Sequence, residues 1–257
     1  MKYLTLLLIF ALSISASTIK TELLWVDNDA NIARVKLDSI DVGVSGFLVH
    51  RLAPNHTSIL KNVSVIGYDK ETKIATLKMK EFNALRNNAL PTGHWKAIVG
   101  DKVELAFGYS RSLLIAPSEE IYHRITKSVQ TQWVTYRYIC YYYLLPWTSN
   151  TTKEDFDAMN VASSVGLLFI YLDKKLYTVD MKTFVILSIS DAPLVQDTLK
   201  LPFYSRVEKI NAAWWGEGSD ELKSYEPYYF GLLKEYNPEN KTLLENIEKF
   251  EKGSKND

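Results

Sequence analysis

The chain has 257 residues, of which 47% are apolar, and its 30 basic and 30 acidic side chains give a formal net charge of zero. This apolar fraction is sufficient for a packed core, and the charge balance excludes the basic bias typical of nucleic-acid-binding proteins. Cys140 is the single cysteine, which excludes an internal disulfide and a zinc site built on cysteines. Its apolar neighbours predict a buried, inert thiol.

The first 17 residues predict a signal peptide. Lys2 precedes an apolar run from Leu4 to Ile14, and small residues follow up to Ser17. A basic start, an apolar centre and a small-residue end are typical of a secretory signal, and the run is shorter than the ~20 residues that span a bilayer. We therefore expect export to the cell surface or periplasm and no transmembrane helix. A buried N-terminal helix is the alternative.

Residues 18–108 predict a β-rich, duplicated, barrel-like module. The stretches Val26–Leu37 and Tyr68–Met79 align without a gap, each as a strand end, a polar turn and a returning strand. A Val-Gly step follows each one, at Val42-Gly43 and at Val99-Gly100. Matching hairpins with matching exits indicate a tandem repeat, and two such units suit a small barrel without free edges. Chance similarity between two β-hairpins is the alternative.

Residues 109–215 predict an α/β module with a mixed sheet, which makes the fold class α+β. Ser118 and Thr152 are typical N-cap residues and each precedes a helical pattern. A meander of three strands is predicted next: Val165–Tyr171, Lys175–Asp180 and Phe184–Ser190. This order of strands and helices indicates a sheet with helices packed on it.

Residues 216–257 predict an aromatic-rich connection and a C-terminal helix. Asn237 is the expected N-cap of this helix, with Pro238 in its first turn and Gly253 after its end. The aromatic residues singled out before it are Trp214, Trp215, Tyr225, Tyr228, Tyr229 and Phe230. We interpret them as core anchors, and a stacking surface for sugars or peptides is the alternative.

No pattern in the sequence predicts an active site, a cofactor or a metal. Glu119 and His123 have the helical i,i+4 spacing, which serves acid–base chemistry but also an ordinary surface ion pair. No nucleophile or glycine-rich loop accompanies them, so we expect the ion pair. His50 and His56 lie six positions apart without a nearby ligand partner, and we expect a solvated loop pair rather than a metal site. The protein is therefore predicted not to be an enzyme.

Four long and unusual stretches carry a family resemblance: Leu105–Arg111, Leu114–Ser128, Ser164–Asp173 and Ile189–Asp197. They are similar to the N-terminal domain of the plasminogen-binding protein PgbA family of Helicobacter- and Campylobacter-type bacteria. The resemblance extends from about Thr18 to Phe230. It implies a surface protein that captures host plasminogen.

The resemblance also implies that lysines carry plasminogen capture, above all a C-terminal lysine on a lysine-rich extension. The sequence printed here ends at Lys255-Asn256-Asp257, so we expect weak binding at most. Lys249 and Lys252 are predicted to contribute more than Lys255, because each lies four positions after a helical glutamate, Glu245 or Glu248. The alternative function is a structural or assembly factor of the bacterial envelope that binds a partner protein or cell-wall glycan.

Overall fold

A computed structural model describes residues 18–54, 56–82, 95–135, 151–194, 199–201, 203–204 and 224–254. The first six strands are β1 (Ile19–Asp27), β2 (Ile32–Lys36), β3 (Ser45–Ala53), β4 (His56–Asp69), β5 (Ile74–Glu81) and β6 (Lys102–Leu105). The next elements are β7 (Arg111–Ile115), α1 (Glu119–Ser128), β8 (Gln132–Trp133), α2 (Lys153–Ser163), β9 (Leu167–Leu172), β10 (Lys175–Asp180) and β11 (Ile186–Asp191). Two further helices follow, α3 (Tyr225–Tyr236) and α4 (Lys241–Gly253).

The first six strands form a closed antiparallel barrel in the order β1-β2-β5-β4-β3-β6. The first and last strands close it, with Ile19 opposite Leu105. Alternate side chains point inwards, as the period of a strand requires, and fill the interior with small and branched residues such as Leu23, Val35 and Leu77. Closure pairs every strand on both sides, so the barrel has no free edge.

The two halves of the barrel have matching backbone pairing. In β1 and β4 the register shifts at the same relative place, between Leu23 and Trp25 and between Val65 and Gly67. The amide of Leu37 donates to the carbonyl of Lys73, and the amide of Met79 donates to that of Asn31, each at 2.9 Å. The predicted repeat therefore has corresponding hydrogen bonds, and the duplication itself stays a prediction.

The turns of the two hairpins also match. The side chain of Asp27 accepts the amides of Asp29 and Ala30, and that of Asp69 accepts the amides of Glu71 and Thr72. Both turns end in a residue with positive φ, 55° at Asn31 and 58° at Lys73. Aspartate favours such turns because its side chain bonds the backbone two residues on.

The second sheet has the order β11-β10-β9-β7-β8, with β7 parallel to β8 and β9 and the remaining pairs antiparallel. This is the mixed sheet that the sequence predicts. Ser118 and Thr152 cap α1 and α2 as expected, and Thr152 forms a full capping box with Asp155. The predicted meander corresponds to β9, β10 and β11.

The prediction for the start of the tail helix is wrong. The tail helix α4 begins at Lys241, and the side chain of Asn240, not Asn237, accepts the amide of Leu243. Asn237 lies at the end of α3 instead. Its buried amide group accepts from Ile186 and donates to the carbonyl of Phe184, so it is committed to the sheet and cannot cap the next helix.

Buried apolar residues form two clusters. One extends from the barrel interior to one face of the second sheet, through residues such as Tyr109, Leu114 and Phe169. The other lies on the opposite face of that sheet, beneath α2, α3 and α4. Tyr225, Tyr229 and Phe230 belong to this second cluster, which confirms their role as core anchors. Within the described part of the chain, no helix is long and apolar enough to cross a bilayer.

Candidate functional site

The tail helix α4 is attached to the second sheet by one face. Leu243 is fully buried in the cluster beneath the helices, and Ile247 and Phe250 pack against it. The side-chain amide of Asn246, itself buried, donates to the hydroxyl of Tyr177 at 3.0 Å. Apolar contact and a buried hydrogen bond together hold this helix in a fixed orientation on the body.

The opposite face of α4 presents the predicted lysines to solvent. Lys249 and Lys252 are both exposed. Lys252 Nζ lies 2.5 Å from Glu248 Oε1, and this hydrogen bond from Lys252 lowers the pKa of Glu248. Glu245 and Lys249, both described, have the same spacing but form no ion pair. Of the predicted lysines, Lys252 is therefore part of an ammonium–carboxylate pair and Lys249 is not, while Lys255 lies outside the described residues.

Glu119 and His123 form an ordinary surface pair at the start of α1. His123 Nε2 lies 3.5 Å from Glu119 Oε1, and both side chains are exposed. The pKa of Glu119 is lowered, mainly by a hydrogen bond from Tyr204 and also by His123. Both residues lie on the first turns of α1, and Glu119 is well placed to favour the positive end of the helix dipole. The expected ion pair is confirmed.

The predicted loop position of His50 and His56 is wrong, because both lie on strands. His50 belongs to β3 and His56 begins β4. His50 Nδ1 lies 2.7 Å from a carboxylate oxygen of Asp101, which is nearly buried and also accepts the amide of Ile98. Across the residues that the structure describes, no group of three potential metal ligands comes together. His94, Cys140 and the pair Trp214-Trp215 lie outside those residues.

A buried carboxylate joins the barrel to the second sheet. One oxygen of Asp180, at the end of β10, accepts the amide and hydroxyl of Ser45 and the hydroxyl of Tyr109. Its other oxygen accepts the amides of Lys182 and Thr183. Burial next to this carboxylate raises the pKa of Tyr109. Asp180 thus accepts from five donors although it is fully buried, and no sequence signal predicted this junction.

The turn Asp180–Val185 lies directly on Gly43 of the barrel. The hydroxyl of Thr183 donates to the carbonyl of Gly43 at 2.7 Å. Gly43 has a φ of +98°, and an added Cβ would overlap the side chain of Val185. Glycine is required here both by the backbone angle and by the close approach of the turn.

The other Val-Gly turn of the barrel is open to solvent. Gly100 has a φ of +91°, and no heavy atom of the described residues lies within 4 Å of the position its Cβ would occupy. Large apolar side chains surround it, with Val99 62% and Ile98 53% exposed. We call this surface the Gly100 face, comprising Leu24, Trp25, Ile98, Val99, Gly100 and Lys102.

The register shift in β1 explains why the Gly100 face is apolar. Strand alternation from the buried Leu23 predicts that Trp25 points inwards. The shift between Leu23 and Trp25 instead leaves both Leu24 and Trp25 exposed, and the guanidinium of Arg34 lies 4.9 Å from the centre of the Trp25 ring. The expectation from alternation is therefore wrong at Trp25, because a β-bulge changes the face of the strand to which the following side chains point.

Comparison with known proteins assigns the chain to a family. A family model described as "Plasminogen-binding protein pgbA N-terminal" matches residues 18–233. Plasminogen-binding protein PgbA from two strains of Helicobacter pylori is 29% and 28% identical to the chain over 216 residues, which cover 82% of this chain and 46% of each relative. The chain thus spans about half the length of these curated relatives. No solved structure matches it. The chain belongs to the family of the N-terminal region of plasminogen-binding protein PgbA.

Proposed function

We propose that this protein is an exported, non-enzymatic binding protein of the cell surface or periplasm and that plasminogen is its ligand. The observation that carries the proposal is the family match over residues 18–233, together with relatives that are named plasminogen-binding proteins. Export is supported by the basic, apolar and small-residue pattern of residues 1–17. Protease treatment of intact cells tests the location, because only a surface protein is cleaved without opening the outer membrane.

The exposed face of α4 is the proposed contact for plasminogen. A site that binds lysine recognises an ammonium and a carboxylate at a fixed separation, and charged hydrogen bonds of this kind are worth about 1.5–3 kcal/mol each. Lys252 and Glu248 hold such a pair on a docked helix. Lys255 lies beyond the residues that the structure describes. Lys249 and Lys252, which α4 holds in place, are the proposed main contributors.

The proposed lysines lie beyond the family match, which ends at residue 233. Binding by the shared region and binding by the tail helix are therefore separable. Surface plasmon resonance on plasminogen should compare the chain from residue 18 with a truncation after Tyr236 and with a Lys249→Ala/Lys252→Ala double variant. The double variant is the cleaner test, because the truncation also removes the buried Leu243 and Asn246.

We expect weak binding that a free lysine analogue competes away and that the double variant loses. Glu248→Gln should also weaken binding, since it removes the carboxylate of the pair, whereas Lys241→Ala on the same helix should not. Tight binding that survives truncation would assign plasminogen to the shared region instead of the tail. No binding by the intact chain would favour the envelope factor.

The second candidate function is an assembly factor of the envelope that binds a partner protein or cell-wall glycan. The exposed apolar side chains of the Gly100 face favour it, because surface patches of this kind often mark interaction sites. Cross-linking in the source cells, followed by identification of the cross-linked envelope component, discriminates it from plasminogen capture.

We also propose that the two halves of the barrel arose by tandem duplication. Support comes from the corresponding register shifts, the corresponding aspartate turns and the matching bonds of the glycine turns. A duplicated barrel carries two related surfaces, of which one, at Gly43, is covered by the second sheet.

A further inference from the structure

We propose that the Gly100 face binds an acidic turn of another protein, in the way that Gly43 binds the turn Asp180–Val185 of its own chain. This proposal does not rest on plasminogen binding. It adds a second interaction surface, on the barrel, far along the chain from the tail helix. The ligand class is a tight protein turn with a carboxylate, a hydroxyl and a branched aliphatic side chain.

The first step is that Gly43 and Gly100 occupy corresponding backbone positions. The amide of Gly43 donates to the carbonyl of Val65 at 2.8 Å, and the amide of Gly100 donates to that of Leu23 at 2.9 Å. The amides of Val65 and Leu23 donate in return to the residues after each glycine, Val44 and Asp101. Since the two φ angles are +98° and +91°, both turns present the same backbone shape.

The second step is that the turn packed on Gly43 shows which chemical groups fit this backbone shape. The hydroxyl of Thr183 binds the Gly43 carbonyl, and the side chain of Val185 fills the space above the glycine. The carboxylate of Asp180 accepts the amide and hydroxyl of Ser45, two positions after the glycine. A turn with these three groups therefore satisfies the polar atoms and the apolar space together.

The third step is that the Gly100 face offers the same arrangement with a stronger preference for an anion. Lys102, two positions after Gly100, stands where Ser45 stands in the other turn, and it is exposed. Arg34 and Lys96 add two exposed cations at the rim, against the exposed carboxylate of Glu22 opposite Lys102 on β1. The carboxylate of Asp101, between Gly100 and Lys102, is buried and contacts His50. A carboxylate placed like that of Asp180 would meet an ammonium here instead of a hydroxyl, which strengthens the hydrogen bond.

A second copy of this chain does not supply that turn, because its own Asp180–Val185 segment is already buried against its own Gly43. The occupant is therefore a different protein. The large exposed side chains around Gly100 give this occupant additional apolar area to cover, which favours binding.

The test uses the chain's own turn as a probe. A cyclic peptide with the sequence of Val179–Ile186 is titrated into the ¹⁵N-labelled chain from residue 18, and amide shifts are followed by NMR. We expect shifts at Leu24 and at residues 98–102. Replacing the peptide's aspartate by asparagine, or Lys102→Ala in the protein, should weaken binding about two- to fivefold, the range for an exposed charge pair.

The matched control compares Leu24 with Ile66, the residues at the corresponding register shifts of β1 and β4. Leu24→Asp should abolish the shifts, whereas Ile66→Asp should leave them unchanged, because Ile66 has the corresponding position in β4 and both residues are 50% exposed. Preserved dispersion of the amide spectrum shows that each variant is folded.

Several results would overturn the proposal. They are no shift up to the solubility limit of the peptide, shifts confined to the surroundings of Gly43, or equal weakening by Leu24→Asp and Ile66→Asp. Shifts of the same amides on concentrating the protein alone would assign the face to a second copy. Shifts of Trp25 with a chitin oligosaccharide but not with the peptide would assign it to a glycan.

Discussion

The turns at Gly43 and Gly100 have the same backbone arrangement and opposite surroundings. Gly43 and the three residues after it are buried beneath the second sheet, whereas Gly100 and Lys102 are exposed. Both glycines follow a valine and both have positive φ. Positive φ is common to both turns, so the barrel itself requires glycine at both positions, whereas close contact with another surface is an additional requirement at Gly43.

The largest expected effect on the free energy of unfolding comes from removing the carboxylate of Asp180, which fixes the turn over Gly43. Asp180→Asn should lower the free energy of unfolding by about 3–5 kcal/mol, because the amide nitrogen replaces one of the two oxygens and leaves its donors, either Ser45 and Tyr109 or Lys182 and Thr183, without an acceptor. Asp101→Asn should cost only about 1–2 kcal/mol, since His50 can accept from the new amide. Urea denaturation measures both, and equal losses would contradict a special role for the junction.

Alanine at the two glycines compares the turns directly. Both Gly43→Ala and Gly100→Ala force a residue with a Cβ to positive φ, at about 1–3 kcal/mol. Only Gly43→Ala also drives a methyl group into Val185, which adds about 1–3 kcal/mol of overpacking. The free energy of unfolding should therefore fall more for Gly43→Ala. The same loss at both sites would show that Val185 moves aside freely.

Alkaline pH should weaken the apolar cluster beneath the helices through two of its tyrosines. Burial raises the pKa of Tyr177 and of Tyr228 from 10.0 to about 12. The folded state therefore keeps protons that the unfolded state releases, so this stability is present below pH 10 and is lost as the pH rises through about 12. Ellipticity at 222 nm and absorbance at 295 nm, followed together from pH 9 to 12.5 in steps of about 0.25, should change in that window.

Tyr228→Phe is the variant that checks this assignment. It removes one of the hydroxyls whose pKa is raised to about 12, so stability should fall less steeply with pH between 10 and 12. An unchanged slope in the variant would mean that other groups control alkaline unfolding.

The smallest expected effect concerns the hairpin turns, which lie away from both glycines. Asp27→Ala and Asp69→Ala each remove the side-chain bonds of one turn, so each should lower the melting temperature by roughly 2–4 °C or less. Because the backbone bonds of the turns match, the two decreases should be similar, with the larger one at Asp69, whose carboxylate also accepts the hydroxyl of Thr72. A large difference between them would count against the duplication, whereas agreement would support it.

The sequence predicted the elements whose signals are local. The caps at Ser118 and Thr152, the meander of β9 to β11 and the mixed sheet all follow from residue patterns within a few positions. The start of α4 was misplaced because Asn237 and Asn240 are equally suitable caps in isolation. A tertiary contact decides between them, since Asn237 is bound to Phe184 and Ile186.

The parts that the sequence could not predict depend on residues far apart in the chain. Asp180 meets Ser45 and Tyr109 only after both sheets have formed, and nothing near Asp180 signals this. The outward position of Trp25 likewise depends on a register shift, which strand alternation does not reveal. The candidate lysines of α4 were predictable because helical spacing alone puts Lys252 beside Glu248.

The pairing of β1 with β6 has a consequence for the order of folding. Ile19 lies opposite Leu105, so the first strand of the barrel is completed by the last one to be synthesised. Until the chain has been made past Leu105, the outer edge of β1 has no partner, and closing so long a loop costs entropy before the contact is formed. Contacts of this range slow folding. A ribosome-bound chain that stops before β6 should therefore hold an open sheet, which is the state most exposed to edge-to-edge aggregation.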